Sequence, residues 1–267
     1  MSATPVEALA PLLAFAALGW AAGVRLRDAS VADLGWGPAF VVAAWWWAAR
    51  AGAFEPRAFV VLALVTLWGA RLALHLASRR AGHGEDPRYA AMRARGGAHF
   101  WWSSAFTVFA LQAVLAWIVA WPLWAALHPA APRALVPLDA LALALWAGGF
   151  AFEAIGDAQL AAFRSDPANR GRVMDRGLWA WTRHPNYFGD ALLWWGFGVF
   201  ALSTPGAAWT LVGPALMTFL LVRVSGVSLL ERGMASRPGW AEYAARTSAF
   251  VPWPPRRGTA HIPGGSR

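Results

Sequence analysis

The chain has 267 residues, 58% hydrophobic and 14% charged, with a mean hydropathy of +0.41; that is too apolar for an ordinary soluble domain and long enough for several membrane crossings. It contains no cysteine, which excludes disulfides, thiolate metal sites and a cysteine nucleophile. The formal charge of +9 arises from arginine without any lysine, clustered between apolar runs, so orientation in a bilayer accounts for it and nucleic acid is not an expected partner.

A hydrocarbon core of about 30 Å needs about 20 apolar residues per helix. The expected fold is therefore all-α, a polytopic membrane bundle of about seven transmembrane helices. Taken in chain order, they fall near 8–24, 32–49, 58–77, 104–127, 135–158, 187–202 and 207–230. No basic stretch precedes the first run, which reads as a retained helix rather than a cleaved signal. Pro129 and Pro132 mark the loop between the fourth and fifth spans, and Pro205-Gly206 the turn between the last two. Trp45 to Trp47, Trp101, Trp102, Trp121 and Trp124 lie near expected helix ends, where indoles anchor at the headgroups. No internal repeat is visible. Residues 1–255 are expected to form a single membrane-embedded domain, and 256–267, polar and rich in Gly and Pro, a disordered tail.

Arginines divide unevenly between alternate loops. Arg25, Arg27, Arg79, Arg80, Arg88, Arg93, Arg95, Arg164, Arg170, Arg172, Arg176, Arg183 and the C-terminal arginines share one side, against Arg50, Arg57 and Arg133 on the other. The rich side is expected to be cytosolic, which puts the N-terminus outside and the C-terminus inside.

Ionisable residues inside spans are costly and point to a site. Arg71 and His75 on the third span, and Glu153 and Asp157 on the fifth, are four residues apart and share a helix face. Asp33 and Asp190 open the second and sixth spans; Arg223 and Glu231 close the seventh. With the orientation above, these charges occupy cytosolic halves, so one polar cavity opening to the cytosol is expected. Charges at helix ends also snorkel or pair structurally, the plainer reading for Asp33 and Glu231.

The densest signal runs from Asn169-Arg170-Gly171-Arg172 to Arg183-His184-Pro185-Asn186-Tyr187-Phe188-Gly189-Asp190. Pro185 suits the first turn of a helix, whose free backbone donors favour an anion. Arg170, Arg172 and Arg183 add charge-assisted donors suited to phosphate, while Asn186 and Tyr187 can bond to ribose or amide groups. His83, His99 and His128 have no metal-like spacing to carboxylates, so no metal site is expected.

The string from Arg183 to Asp190 resembles the signature of the steroid 5-alpha-reductase-like membrane reductases, especially their bacterial branch of uncharacterised domains. Trp68-Gly69-Ala70-Arg71-Leu72, Gly84-Glu85-Asp86-Pro87-Arg88-Tyr89, Gly156-Asp157-Ala158-Gln159-Leu160, Ser225 to Glu231, and Tyr243, Thr247, Phe250 and Pro252 agree with it. The likeness covers roughly residues 30 to 253. It implies a multi-pass protein of the bacterial inner membrane that holds NADPH on the cytosolic side and takes a hydrophobic enone from the bilayer. By motif, Asp157, Asn169, Arg172, His184, Asn186, Tyr187 and Asp190 would hold the cofactor, with Arg71 and Arg79 or Arg80 near its phosphates. Arg170, Arg183 and Glu231 complete that candidate set. The family's tyrosine three residues before the third-span arginine is Trp68 here, and its Gln-Glu pair on the second helix is not visible. The candidate acids for carbonyl polarisation and proton donation are therefore Tyr187, His184, Glu153 and Asp33. The competing class is an isoprenylcysteine-type membrane methyltransferase using S-adenosylmethionine, whose members share an Arg-His-Pro helix start and a late Glu.

Overall fold

The computed structural model describes residues 4–224 and 226–255. The expected disordered tail, 256–267, lies outside the described residues. Among them the chain is all-helical and has no strand. The helices are α1 (Leu9–Leu26), α2 (Val31–Ala51), α3 (Pro56–Arg80), α4 (Pro87–Gly96), α5 (Phe100–Ser104), α6 (Leu111–Val119), α7 (Trp121–Ala126), α8 (Pro137–Ser165), α9 (Pro185–Leu202), α10 (Val212–Phe219), α11 (Val227–Met234) and α12 (Trp240–Arg246). Ala105–Ala110 and Leu220–Val224 are π-helical.

Five helical stretches are long and apolar enough to cross a membrane: Pro5–Leu26, Pro56–Arg80, Pro87–Val119, Pro137–Ser165 and Ala207–Met234. The other two expected spans are helices as well, but α2 carries Asp33, Gly35, Gly37 and Pro38, and α9 opens on Pro185-Asn186-Tyr187 with Asp190 behind, so neither joins that group. The fourth span is displaced from its expected position. Its helical run begins at Pro87, where Asp86 accepts the Arg88 N–H at 2.9 Å as an N-cap. It ends at Val119, with Ala120 as the C-cap, because Pro122 has no N–H with which to continue the ladder. Arg88, Arg93 and Arg95, expected in a loop, are thus helical.

The described residues form two compact units: one from residues up to Leu143 with Trp195–Leu216, the other from Ala144–Trp194 with residues from Met217 onward. In the first, α2 lies on α3 at Gly37 and Gly69. A Cβ at Gly37 would stand 2.6 Å from the Gly69 carbonyl oxygen, so only glycine permits this approach. Beside it Phe40 meets Trp68 edge-on with centroids 5.5 Å apart.

The turn between α1 and α2 is tied down by charge. Glu85 accepts the Ala29 N–H at 2.7 Å and holds Arg93 through two bonds of 2.9 and 2.8 Å. The Arg93 bonds are the main reason its carboxyl sits below the usual range. Arg80 pairs with Asp28. Arginines that look from sequence like free loop charges are therefore occupied by neighbouring carboxylates.

Arg57 shows the same principle in the interior. It is fully buried and bonds Asp139 through both Nε and Nη2, at 2.9 and 3.0 Å, and the carbonyls of Ala126 and Phe200 at 3.1 and 2.7 Å. Removing one partner of such a pair leaves a buried charge uncompensated, which costs about 3–5 kcal/mol. Arg57→Ala is therefore expected to lower the unfolding midpoint of the detergent-solubilised protein sharply. The double variant Arg57→Met with Asp139→Leu, which removes both charges, should recover much of that loss; equal losses in the two would show that the pair is not the source.

Candidate functional site

In the second unit the site is built on a glycine contact between α8 and α9. Gly149, Glu153, Gly156 and Asp157 recur at helical spacing and so share one face of α8. A Cβ at Gly149 would collide with the Leu193 nitrogen and the Gly189 carbonyl oxygen, and one at Gly189 with the Glu153 nitrogen. At Gly156 the neighbours are Pro185 and the Asn186 nitrogen, at 3.1 and 3.2 Å. The small residues thus bring the start of α9 onto the acidic face of α8.

The polar groups gathered there are buried: Glu153, Asp157, His184 and Asp190 are each less than a tenth exposed. Asn186 Nδ2 donates to Asp157 Oδ1 at 3.0 Å, and Asn186 Oδ1 accepts the Tyr187 N–H at 3.1 Å. The His184 and Tyr187 rings stack, 5.6 Å apart and 7° from parallel. His184 Nε2 lies 3.1 Å from Glu231 Oε1, and the same carboxylate takes two bonds from Arg183, at 2.8 and 3.1 Å.

Arg183 also donates to the carbonyls of Ala244 and Thr247, at 2.7 and 3.0 Å. With four of its N–H groups committed within the protein, it is a structural clamp and has little left for a ligand phosphate, contrary to the expectation from sequence. Asn169 likewise turns inward, donating to the Phe163 carbonyl at 3.0 Å near the end of α8. Arg170 and Arg172 remain exposed, and among the described residues no carboxylate pairs with either.

The remaining sequence candidates belong to the first unit. Arg71 is half-buried on α3, Arg79 is exposed at its end, and Arg80 is bound to Asp28. Asp33 accepts from Tyr89 Oη at 2.5 Å and from Arg88 at 2.8 Å.

A feature that residue patterns gave no role is the segment after α11. It lies along residues 179–184: the Arg183 N–H donates to the Ser248 carbonyl at 2.8 Å, Thr182 Oγ1 to Phe250 at 2.8 Å, and the Trp253 N–H to Trp181 at 2.9 Å. Tyr243 Oη adds a bond to the Trp179 carbonyl at 2.7 Å. Trp179 in turn donates to the Gly156 carbonyl of α8 at 3.0 Å.

Several long apolar helices make this a multi-pass membrane protein with a buried acidic and histidine-bearing site in its second unit. The chain belongs to the family described as "Protein of unknown function (DUF1295)", which matches residues 19–247. No curated protein and no solved structure matches it.

Burial is the largest influence on His184 and lowers its pKa from the ordinary histidine value, outweighing the upward pull of Glu231. The unfolded chain takes up this proton near pH 6.5, the folded protein only below that. The stability contributed by neutral His184 is thus complete above about pH 6.5 and lost as pH falls through the folded value. Thermal unfolding between about pH 7 and 5 should show a fall in midpoint that is shallower in His184→Asn. An unchanged slope would assign the fall to other groups.

Proposed function

We propose that this protein is a membrane-embedded NADPH-dependent reductase of a hydrophobic enone, a steroid-like or other lipid carbon–carbon double bond. The observation that carries the reading is the helix start at Pro185, with Asn186 fixed by Asp157 and Tyr187 stacked on His184, preceded by the exposed Arg170 and Arg172. A helix N-terminus with exposed arginines nearby is chemically suited to a phosphate-bearing ligand, and an amide and a phenol to its ribose or nicotinamide. The motif's resemblance to steroid 5-alpha-reductase-like proteins supports the same choice.

NADPH held there would supply the hydride for the β-carbon of the enone. The electron pair of the double bond moves toward the carbonyl oxygen, and the resulting enolate takes a proton at the α-carbon. We assign Tyr187 as the group that donates a hydrogen bond to that oxygen, with the stacked His184 ring and Glu231 positioning it. We assign Glu153, buried on α8 beside the start of α9, to relay the proton. Asp33 is less suited to either role, since Tyr89 and Arg88 already occupy its carboxylate. Arg172 and Arg170 take the 2′-phosphate and pyrophosphate in place of Arg183.

We also read α2 and α9 as crossing the membrane, giving seven spans with the N-terminus outside and the arginine-rich loops and site facing the cytosol of a bacterial inner membrane. The asymmetry of the loop arginines supports this, and the internal pairing of Arg57 removes one charge from the poorer side. The methyltransferase reading retains one specific support, the contact of the Arg183-His184-Pro185 start with the late Glu231.

Thermal-shift titration separates the two. A ligand at about a hundred times its Kd adds about 2.7 kcal/mol of stability; NADPH is expected to give this and S-adenosylmethionine none. Arg172→Ala should weaken NADPH at least about tenfold more than NADH, the equivalent of one lost charge-assisted contact. Stabilisation by S-adenosylmethionine alone would replace the reductase reading, and equal losses for the two nicotinamides would remove Arg172 from the 2′-phosphate.

A further inference from the structure

The last long apolar stretch, Ala207–Met234, does not stay one helix. α10 runs into the π-helical turn Leu220–Val224, and α11 starts afresh at Val227, after Gly226 with φ −106° and ψ −109°. The joint is tied by a side chain: Ser228 Oγ donates at 2.9 Å to the Val222 carbonyl, which lies in the last turn, where helix carbonyls lack partners of their own.

Burial divides the side chains of this joint. Val227 is buried, and Glu231 holds Arg183 and His184. On the outside Phe219, Val224, Leu229 and Leu230 are exposed, and so are Arg223 and Arg232. Phe219 and Arg223 are four residues apart and share a face, as do Leu229 and Arg232 at a spacing of three. Each guanidinium is therefore accompanied by exposed hydrocarbon. Among the described residues no carboxylate pairs with either. A membrane-crossing stretch that exposes apolar side chains meets acyl chains, and an unpaired cation there has to reach an anion at the headgroups.

We propose that this joint binds an anionic phospholipid, with its headgroup on Arg223 and Arg232 and its acyl chains on Phe219, Val224, Leu229 and Leu230. The arrangement selects on both parts of the molecule. A free phosphate ion would leave the apolar side chains uncovered. A zwitterionic lipid brings a cation as well, and the one acid of α11, Glu231, is already engaged by Arg183 and His184. An anionic headgroup carries no such cation, and each arginine near a bilayer surface adds to its attraction. Occupancy has a consequence inside the unit: Arg232 follows Glu231 directly, so a lipid that steadies α11 also steadies the carboxylate that grips the start of α9. None of this requires a nicotinamide, so it stands apart from the reductase reading.

The test is equilibrium binding of radiolabelled dioctanoylphosphatidylglycerol to the full-length, cofactor-free protein, delipidated in a neutral detergent. The expected result is saturable binding that unlabelled dioctanoylphosphatidylglycerol displaces at least about tenfold better than dioctanoylphosphatidylcholine, and that inorganic phosphate at the same concentration does not displace. The double variant Arg223→Gln with Arg232→Gln should bind at least about tenfold more weakly, and Arg223→Lys with Arg232→Lys should retain most of the affinity. Leu229→Ser with Leu230→Ser should weaken both lipids alike. Equal displacement by the two lipids in the unmodified protein would overturn the proposal. So would displacement by inorganic phosphate, which would leave a simple anion site, or an anionic preference that survives in the glutamine pair, which would assign it to other arginines.

Discussion

The backbone of α9 rests directly on that of α8 where Gly189 meets Glu153 and Gly149 meets Leu193, and the candidate site depends on that contact. Side chains of any size would hold the helices apart. With glycine at these positions, Glu153 and Asp157 lie beside the first turn of α9, and Asn186 can reach Asp157. In a medium without water to solvate stray dipoles, such proximity also lets polar groups satisfy one another.

A second layer holds that first turn in place. Glu231 engages Arg183 and His184 together, and residues 243–253 bond to the segment 179–184 largely through backbone groups. Arg183 is the junction, since its guanidinium reaches both Glu231 and the carbonyls at the end of α12. The cations are thereby divided: those that hold the fold are buried or paired, as Arg57, Arg80 and Arg183 are, while Arg170 and Arg172 remain exposed. Charge that looks uniform along the sequence is thus sorted by its partners.

That sorting explains what was legible in the sequence. The long apolar runs of α1, α3 and α8 were readable because hydropathy alone places them, and the motif around Asn186 was readable because its residue types are unusual at a helix start. The helix at Pro87 was not, since its arginines imitate a solvated loop and their partners, Asp33 and Glu85, lie outside the helix itself. Arg57 gave no sign of burial because Asp139 is far along the chain. The segment after α11 stands out only by resemblance, through Tyr243, Thr247, Phe250 and Pro252, and its pairing with residues 179–184 is not legible, because bonds such as Arg183 N–H to Ser248 C=O use atoms that every residue has. For Arg183 the sequence shows that a cation is present but not that Glu231 holds it.

The central claim, that the start of α9 and the loop before it receive a nicotinamide cofactor, is tested most directly by amide hydrogen exchange on the solubilised protein with and without saturating NADPH. The account predicts protection concentrated in residues 169–190, around Arg170, Arg172, Asn186 and Tyr187. Exchange in that stretch unchanged by NADPH, or protected only by S-adenosylmethionine, would contradict it.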